Sequence, residues 1–332
     1  MDRLDLVSDN CIPVLKNALS EHEVKTVTFD NALNVLHYEQ VRTPYRYSII
    51  DRNFAMKQYV ESYEKLFSPD LIIASDCTVA FADLKTPVIS IAQNLFTKMG
   101  ERLKTVDPSI VYEMNVYDHI MRMQLKKSKA VAITRQMRSV LGDPSIPVIE
   151  IGVDTEFFSP SKVEGTGKRG LWVGKFSPRY NFEFVSQLAK DFPDVRWTVI
   201  FEHGMDKTPR LPNVDIASPN GTEGFKKILS TTDFMVSTNG VENYGYSLLL
   251  AASSDIPVIA PKSGWFWDVA SYHNEIGEVM LRMEYGEYKA AVETVLRGEH
   301  EYKPREVVLK EGVGVDEFKE KWRHLIKEHL NI

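Results

Sequence analysis

Along the chain, short apolar runs rich in Val, Ile and Phe alternate with longer segments whose apolar residues recur every three or four positions. That alternation predicts an α/β protein of parallel sheets covered by helices on both faces. In the first half the predicted strands are 4–8, 24–29, 70–75, 87–92 and 130–134, and the predicted helices are 52–67 and 110–127. In the second of these helices Ile110, Met114, Tyr117, Met121 and Leu125 share one face, a stripe that belongs to a core. The segment 142–170 carries Pro144, Pro147, Pro160, Gly165 and Gly167 and reads as an interdomain linker. Beyond it a second series begins: strand 170–174, helix 181–191, strand 195–202, helix 222–231, strand 233–237, helix 244–253 and strand 256–260. The chain therefore divides into an N-terminal domain, 1–150, a C-terminal domain, 151–314, and a final amphipathic helix, 315–332. On that helix Phe318, Trp322, Leu325 and Ile326 form one face, with Glu320, Lys321, Arg323 and Lys327 elsewhere.

Ligands of doubly wound sheets sit beyond the C-terminal ends of the strands, where loops and helix N-termini present N–H groups. In the second domain this directs attention to 174–181, 202–206, 218–222, 238–245 and 261–265. No Gly-rich phosphate loop ending in Lys and no serine elbow occurs, so nucleotide hydrolases and serine hydrolases lose their main support.

Bulk properties narrow the picture further. The 332 residues suit two domains, and 43% hydrophobic with 26% charged residues is globular composition. Two cysteines, Cys11 and Cys77, supply neither a disulfide framework nor a metal-site spacing. No run of roughly eighteen apolar residues and no leader pattern is present, which leads us to expect a cytoplasmic location. A net charge of −6 argues against broad contact with nucleic acid. Within 119–142, however, six basic residues (Arg122, Lys126, Lys127, Lys129, Arg135, Arg138) occur with no acidic one. The bland reading is a solvated face, and the sharper one is a peripheral patch for an anionic acceptor or a lipid surface.

The most informative stretch follows Asp233: strand 234–237, then Asn239, Gly240, Val241, Glu242, Asn243, Tyr244, Gly245, then a helix of small residues and a second strand. Gly245 permits close approach at the helix start, and Glu242 offers a carboxylate suited to sugar hydroxyls. Taken alone, an acidic residue and a glycine in a loop are more often only a cap. The run resembles the nucleotide-sugar signature of the retaining GT-B glycosyltransferases, the group that includes glycogen synthases and phosphatidylinositol mannosyltransferases. The resemblance continues in order over about 130 residues. Residues 149–160, with Gly152, Val153, Asp154 and Phe158, resemble the family's hinge-proximal segment. Residues 170–181, with Gly174, Lys175, Arg179, Tyr180 and Asn181, resemble its phosphate-binding strand and loop. Residues 257–260 with Gly264, Asp268 and Gly277 resemble the segment after the donor site.

The resemblance implies two Rossmann-like domains facing a cleft, a final helix packing back on the first domain, and a nucleotide-diphosphate sugar held by the second domain without a metal or other cofactor. Lys175 falls on the family's first diphosphate-binding basic residue. The second falls on Tyr180, which moves that role to the adjacent Arg179. Glu242 would hold the donor sugar, and Asn243, Tyr244, Gly245 and Tyr246 would line the donor site. The family's second glutamate, eight positions on, falls on Leu250, which cannot accept a hydrogen bond from ribose. Gln93 stands where related mannosyltransferases carry a histidine, and Asp9 to Pro13 replaces a glycine-rich loop.

The expected activity is transfer of a sugar, with retention, to the hydroxyl of a glycan, lipid-linked or modified nucleic-acid acceptor. Rival readings are a degenerate GT-B subunit that binds or stabilises a partner, a sugar-nucleotide epimerase and a DNA-modifying glycosyltransferase. His119, the pair His203 and Gly204, and the aromatic run Trp265, Phe266 and Trp267 are secondary candidates, for each of which an ordinary surface or core role is at least as good an account.

Overall fold

The computed structural model describes residues 49–75, 78–93, 108–161, 163, 168–175, 180–201, 211–240 and 242–331, with isolated positions 15, 19 and 23. The chain divides into two compact units, one holding Glu150–Glu320 and the other Leu19–Ile149 with Lys321–Ile332.

In the unit that includes Leu19–Ile149, the described elements are α1 (Ile49–Phe67), β1 (Ile72–Ser75), β2 (Val88–Ala92), α2 (Pro108–Leu125), β3 (Lys129–Ala132) and α3 (Arg135–Leu141). The three strands form a parallel sheet in the order β1-β2-β3, with Ile91 opposite both Ser75 and Val131. The predicted strands 4–8 and 24–29 lie outside the described residues. Ile120 and Met121 of α2 pack with Ala92, Ala132 and Met137 in one buried cluster. Short α3 is fixed at both ends. The Thr134 side chain accepts from the N–H of Met137, and Gly142, left-handed at φ 78°, returns its N–H to the Arg138 carbonyl.

The Glu150–Glu320 unit contains β4 (Arg169–Gly174), α4 (Phe182–Asp191), β5 (Arg196–Phe201), β6 (Val214–Ala217), α5 (Gly221–Leu229), β7 (Phe234–Val236), α6 (Tyr246–Ser253), β8 (Val258–Pro261), α7 (Gly264–Ala270) and β9 (Gly277–Met280). After these come α8 (Tyr285–Arg297), α9 (Pro304–Lys310) and the start of α10 (Val315–Leu330). All six strands are parallel, in the order β6-β5-β4-β7-β8-β9. The chain starts in the middle, winds outward through β5 and β6, then returns to the other side of β4. The strand order therefore reverses between β4 and β7, where such sheets open a crevice.

Central strands covered on both faces read as unbroken apolar runs, and β4, β5 and β7 are buried almost throughout. Trp172 and Trp197, on β4 and β5, are fully buried with Phe182, Phe201 and Phe234 in one cluster. Each such side chain taken from water is worth about 1.5–3 kcal/mol. Helix α4 joins this cluster through Phe182, Val185, Leu188 and Ala189.

Candidate functional site

At the crevice, Gly174 ends β4 and half-buried Lys175 follows it. No larger residue fits at Gly174, because a Cβ there would lie 2.6 Å from the rings of both Trp172 and Tyr180. Beyond β7, Ser237, Thr238 and Asn239 are all buried. The Trp172 indole N–H donates to the Thr238 hydroxyl at 2.9 Å, and that hydroxyl donates to the Tyr180 carbonyl. This relay ties the chain after β4 to the end of β7. Tyr180, 4% exposed with its ring edge-on to Trp172, is a core side chain. Arg179 lies outside the described residues.

The next two loops are fastened to each other. Ser237 donates to Oε1 of Glu242 at 3.3 Å, and the Glu242 N–H donates to the Ser263 hydroxyl at 3.1 Å. The Trp265 N–H donates to the Tyr244 carbonyl at 2.9 Å. Gly264 makes this possible. It is left-handed at φ 64°, and a Cβ there would lie 2.7 Å from the Tyr244 oxygen and 3.1 Å from Cβ of Glu242. Gly245, left-handed at φ 84°, precedes α6 and accepts the first helical bonds from Leu248 and Leu249 at 3.0 and 3.2 Å. Glu242 is only half-buried, so a carboxylate with a fixed backbone stands at the edge of the crevice.

The segment around 150–158 is held by the same region. Tyr244, 5% exposed, donates its hydroxyl to the Ile151 carbonyl at 2.9 Å, and the Tyr246 hydroxyl lies 3.4 Å from that of Gly152. Burial, with the Asp154 charge second, raises the Tyr246 phenol well above its ordinary value, so it stays neutral and cannot serve as a base. Ser253 donates to the Phe158 carbonyl at 3.0 Å. The Arg305 guanidinium, at Nη1, bonds the carbonyls of Thr155, Phe158 and Ser253 at 2.7, 3.3 and 2.9 Å.

The structure thus brings Gly174, Lys175, Glu242, Asn243 and Gly245 to the strand ends that border the crevice, and gives Tyr180, Tyr244 and Leu250 buried positions. Leu250, 1% exposed, sits on α6, whose side chains from Ser247 to Ser253 are all buried. The sequence reading missed Trp172, Thr238, Ser237 and Ser263. Small hydroxyl residues at strand ends carry no signal until the loops they join are known. Of the aromatic run, Trp265 and Phe266 are buried, while Trp267 carries the Lys262 ammonium 3.8 Å above its ring.

Gln93 is buried and donates to the Ser75 hydroxyl at 2.7 Å, and His119 is exposed. His203 and Gly204 lie outside the described residues. Among the cations in 122–138, Arg122 meets the Val140 carbonyl, Lys127 the Ala80 carbonyl, and Lys129 pairs with Glu328 at 3.7 Å. Among the described residues no helix is long and apolar enough to cross a membrane.

No protein-family model matches the chain, and no curated protein matches it significantly. Solved structures do. Sucrose-phosphate synthase from Thermosynechococcus elongatus superposes with a TM-score of 0.70 at 13% identity, over 87% of this chain and 82% of that one. Anabaena HepE, determined in complex with UDP and glucose, gives 0.68 at 12% identity over 96% of both chains. A glycosyltransferase from Rickettsia africae gives 0.67 at 12% identity, over 97% of this chain and 94% of that one. At such identities the likeness speaks for architecture alone: the chain has the α/β GT-B fold.

Proposed function

We propose that the protein is a glycosyltransferase that moves a sugar from a nucleotide diphosphate donor to an acceptor hydroxyl, with retention at the anomeric carbon and without a metal. The observation that carries this reading is the fastening of loop 237–245 to loop 261–265 through Ser263, Gly264 and Trp265. It fixes the Glu242 backbone beside the start of α6. A carboxylate held in this way binds sugar hydroxyls by charge-assisted hydrogen bonds. Lys175 at the end of β4 and the first N–H groups of α6 would stabilise the departing diphosphate, with Arg179 assigned the second positive charge. The solved neighbours add support, since one holds UDP and glucose on the same fold.

The test is turnover of a panel of sugar nucleotides by wild type and Glu242→Gln, with the product's anomeric configuration read by NMR. The reading requires transfer with retention by wild type and a drop of at least a hundredfold in the variant, about 2.7 kcal/mol of transition-state stabilisation. Wild-type turnover by Glu242→Gln removes Glu242 from the site.

A second reading is favoured by the burial of Tyr180 and Leu250, two of the positions where the family pattern is broken. A protein lacking both contacts could retain the fold as a partner-binding subunit. It would bind nucleotide weakly, and the purified chain would neither transfer nor hydrolyse any donor.

A further inference from the structure

A cavity of about 410 Å³ lies in the Glu150–Glu320 unit at the end of the sheet away from the crevice. Lys168, which precedes β4, Asp233 and Phe234, at the start of β7, and Pro257, which precedes β8, all line it. Its distance from Gly174 is the length of β4, about 17 Å at roughly 3.3 Å per residue. That volume falls within the range of small-molecule sites.

The lining has two characters. Phe234, Ile256, Val295 and Leu296 make an apolar floor, the first two buried and the others half-buried. The polar lining residues include Ser161, Ser254, Tyr302, Lys168, Asp255 and Asp233, whose Oδ2 accepts from the Arg169 N–H at 2.8 Å. Tyr302 is fixed by its 2.6 Å hydrogen bond to Glu278. Asp255 is fixed by its left-handed backbone, φ 61°, and by the Arg305 N–H on Oδ1 at 3.2 Å. Lys168 forms no ion pair among the described residues and is exposed. Helices α5, α6 and α8 all end here, since Leu229, Ser254 and Leu296 line the cavity, and so they turn the negative ends of their dipoles toward it.

This chemistry selects among ligands. Among the described lining residues, two carboxylates against one ammonium, with three helix C-termini, disfavour a nucleotide or phosphate. The apolar floor and the Lys168 ammonium disfavour a polyamine. A neutral ring with an apolar C–H face and an edge of hydroxyl donors satisfies both parts. We propose that this cavity is a second carbohydrate site, one that holds a neutral sugar unit independently of the crevice. On the transferase reading above, it would anchor a glycan through a unit remote from the reacting hydroxyl.

The experiment is saturation-transfer NMR on the full chain with maltotriose, cellotriose and chitotriose, each with and without saturating UDP. The proposal expects at least one trisaccharide to bind with a dissociation constant on the order of 1 mM, unchanged by UDP. Asp255→Asn, a residue type that tolerates the left-handed backbone, should weaken that binding about tenfold by removing a charged acceptor. Leu296→Trp should abolish it by filling the floor. UDP binding serves as the check that both variants fold. Several results would overturn the proposal: no transfer signal from any trisaccharide at about tenfold that concentration, competition by UDP, undiminished binding in either variant, or tighter binding of spermidine or inorganic phosphate. Because UDP binding and turnover are read separately, a failure here is distinct from a failure of the transferase reading.

Discussion

Two glycines in the Glu150–Glu320 unit allow the crevice to be tested without touching any ligand-facing side chain. Gly264 and Gly221 have nearly the same left-handed backbone, φ 64° and 66°. They differ in their surroundings: a Cβ at Gly221 meets nothing within 4 Å, while one at Gly264 meets the Tyr244 carbonyl at 2.7 Å and Cβ of Glu242 at 3.1 Å. Gly221→Ala therefore reports the backbone cost alone, about 1 kcal/mol. Gly264→Ala carries that cost plus a contact with backbone that can be relieved only by moving the loop. A total of about 2–4 kcal/mol follows when the clash is treated as overpacking. Denaturant midpoints, with the slope checked for constancy, give the two values. The same variants are then titrated with UDP. Gly264→Ala should lose at least tenfold in affinity, because its loop positions Glu242 and the start of α6, and Gly221→Ala should lose none. Equal destabilisation of the two variants, or unaltered UDP binding in Gly264→Ala, would refute the claim that the paired loops set the site.

Three further outcomes follow. Lys175→Ala and Arg179→Ala should each weaken UDP about tenfold in calorimetry by removing a charge near the diphosphate, whereas Tyr180→Phe should leave affinity unchanged. An effect of Tyr180→Phe without one of Arg179→Ala would reverse that assignment. With Leu250 buried and apolar, UDP should exceed 2′-deoxy-UDP in affinity by less than about tenfold, and a hundredfold preference would show that another group grips the ribose. Asp191 titrates low, at about 2, chiefly through its hydrogen bond from Lys289 and then those from Tyr285 and Gln187. Its contribution to stability is thus present above the ordinary carboxylate range and is lost as pH falls toward 2. Asp191→Asn should flatten the acid limb of a stability-against-pH curve, and an unaltered limb in that variant counts against the assignment.

Much of the Glu150–Glu320 unit was legible in the sequence because its central strands are buried on both faces and its helices are amphipathic. Strands β4, β5, β7 and β8 appear within a few residues of where the apolar runs place them. The elements that escaped are short or peripheral. Strand β6, Val-Asp-Ile-Ala, lies at the sheet edge with an exposed Ile216, so neither continuous burial nor clean alternation marks it. Strand β9 also spans four residues, and it starts at Gly277, whose φ of 149° brings it against the Val258 backbone. At the site, Glu242 and Gly245 stood out as a carboxylate and a glycine at a helix start. Ser263 and Thr238 did not, because their importance lies in contacts with residues 21 and 58 positions away.

The two breaks in the family pattern within the Glu150–Glu320 unit share one structural feature, burial. Tyr180, at the position where the resemblance implies a phosphate-facing cation, belongs to the cluster of Trp172, Phe182 and Phe201. Its carbonyl is fixed by Thr238, which the Trp172 indole orients. Leu250, at the position where the resemblance implies a ribose-binding glutamate, belongs to a helix buried from Ser247 to Ser253. Both positions are buried in the core of the unit. If the resemblance places ligand contacts at these positions, both side chains put packing in their place, and a buried aromatic or leucine side chain contributes stability where a charged side chain would cost it. On the proposed transferase reading, recognition of a donor would be left to the carboxylate of Glu242, the N–H groups at the start of α6 and the positive charge of Lys175. On that reading selectivity would rest on the sugar and the diphosphate rather than on the ribose.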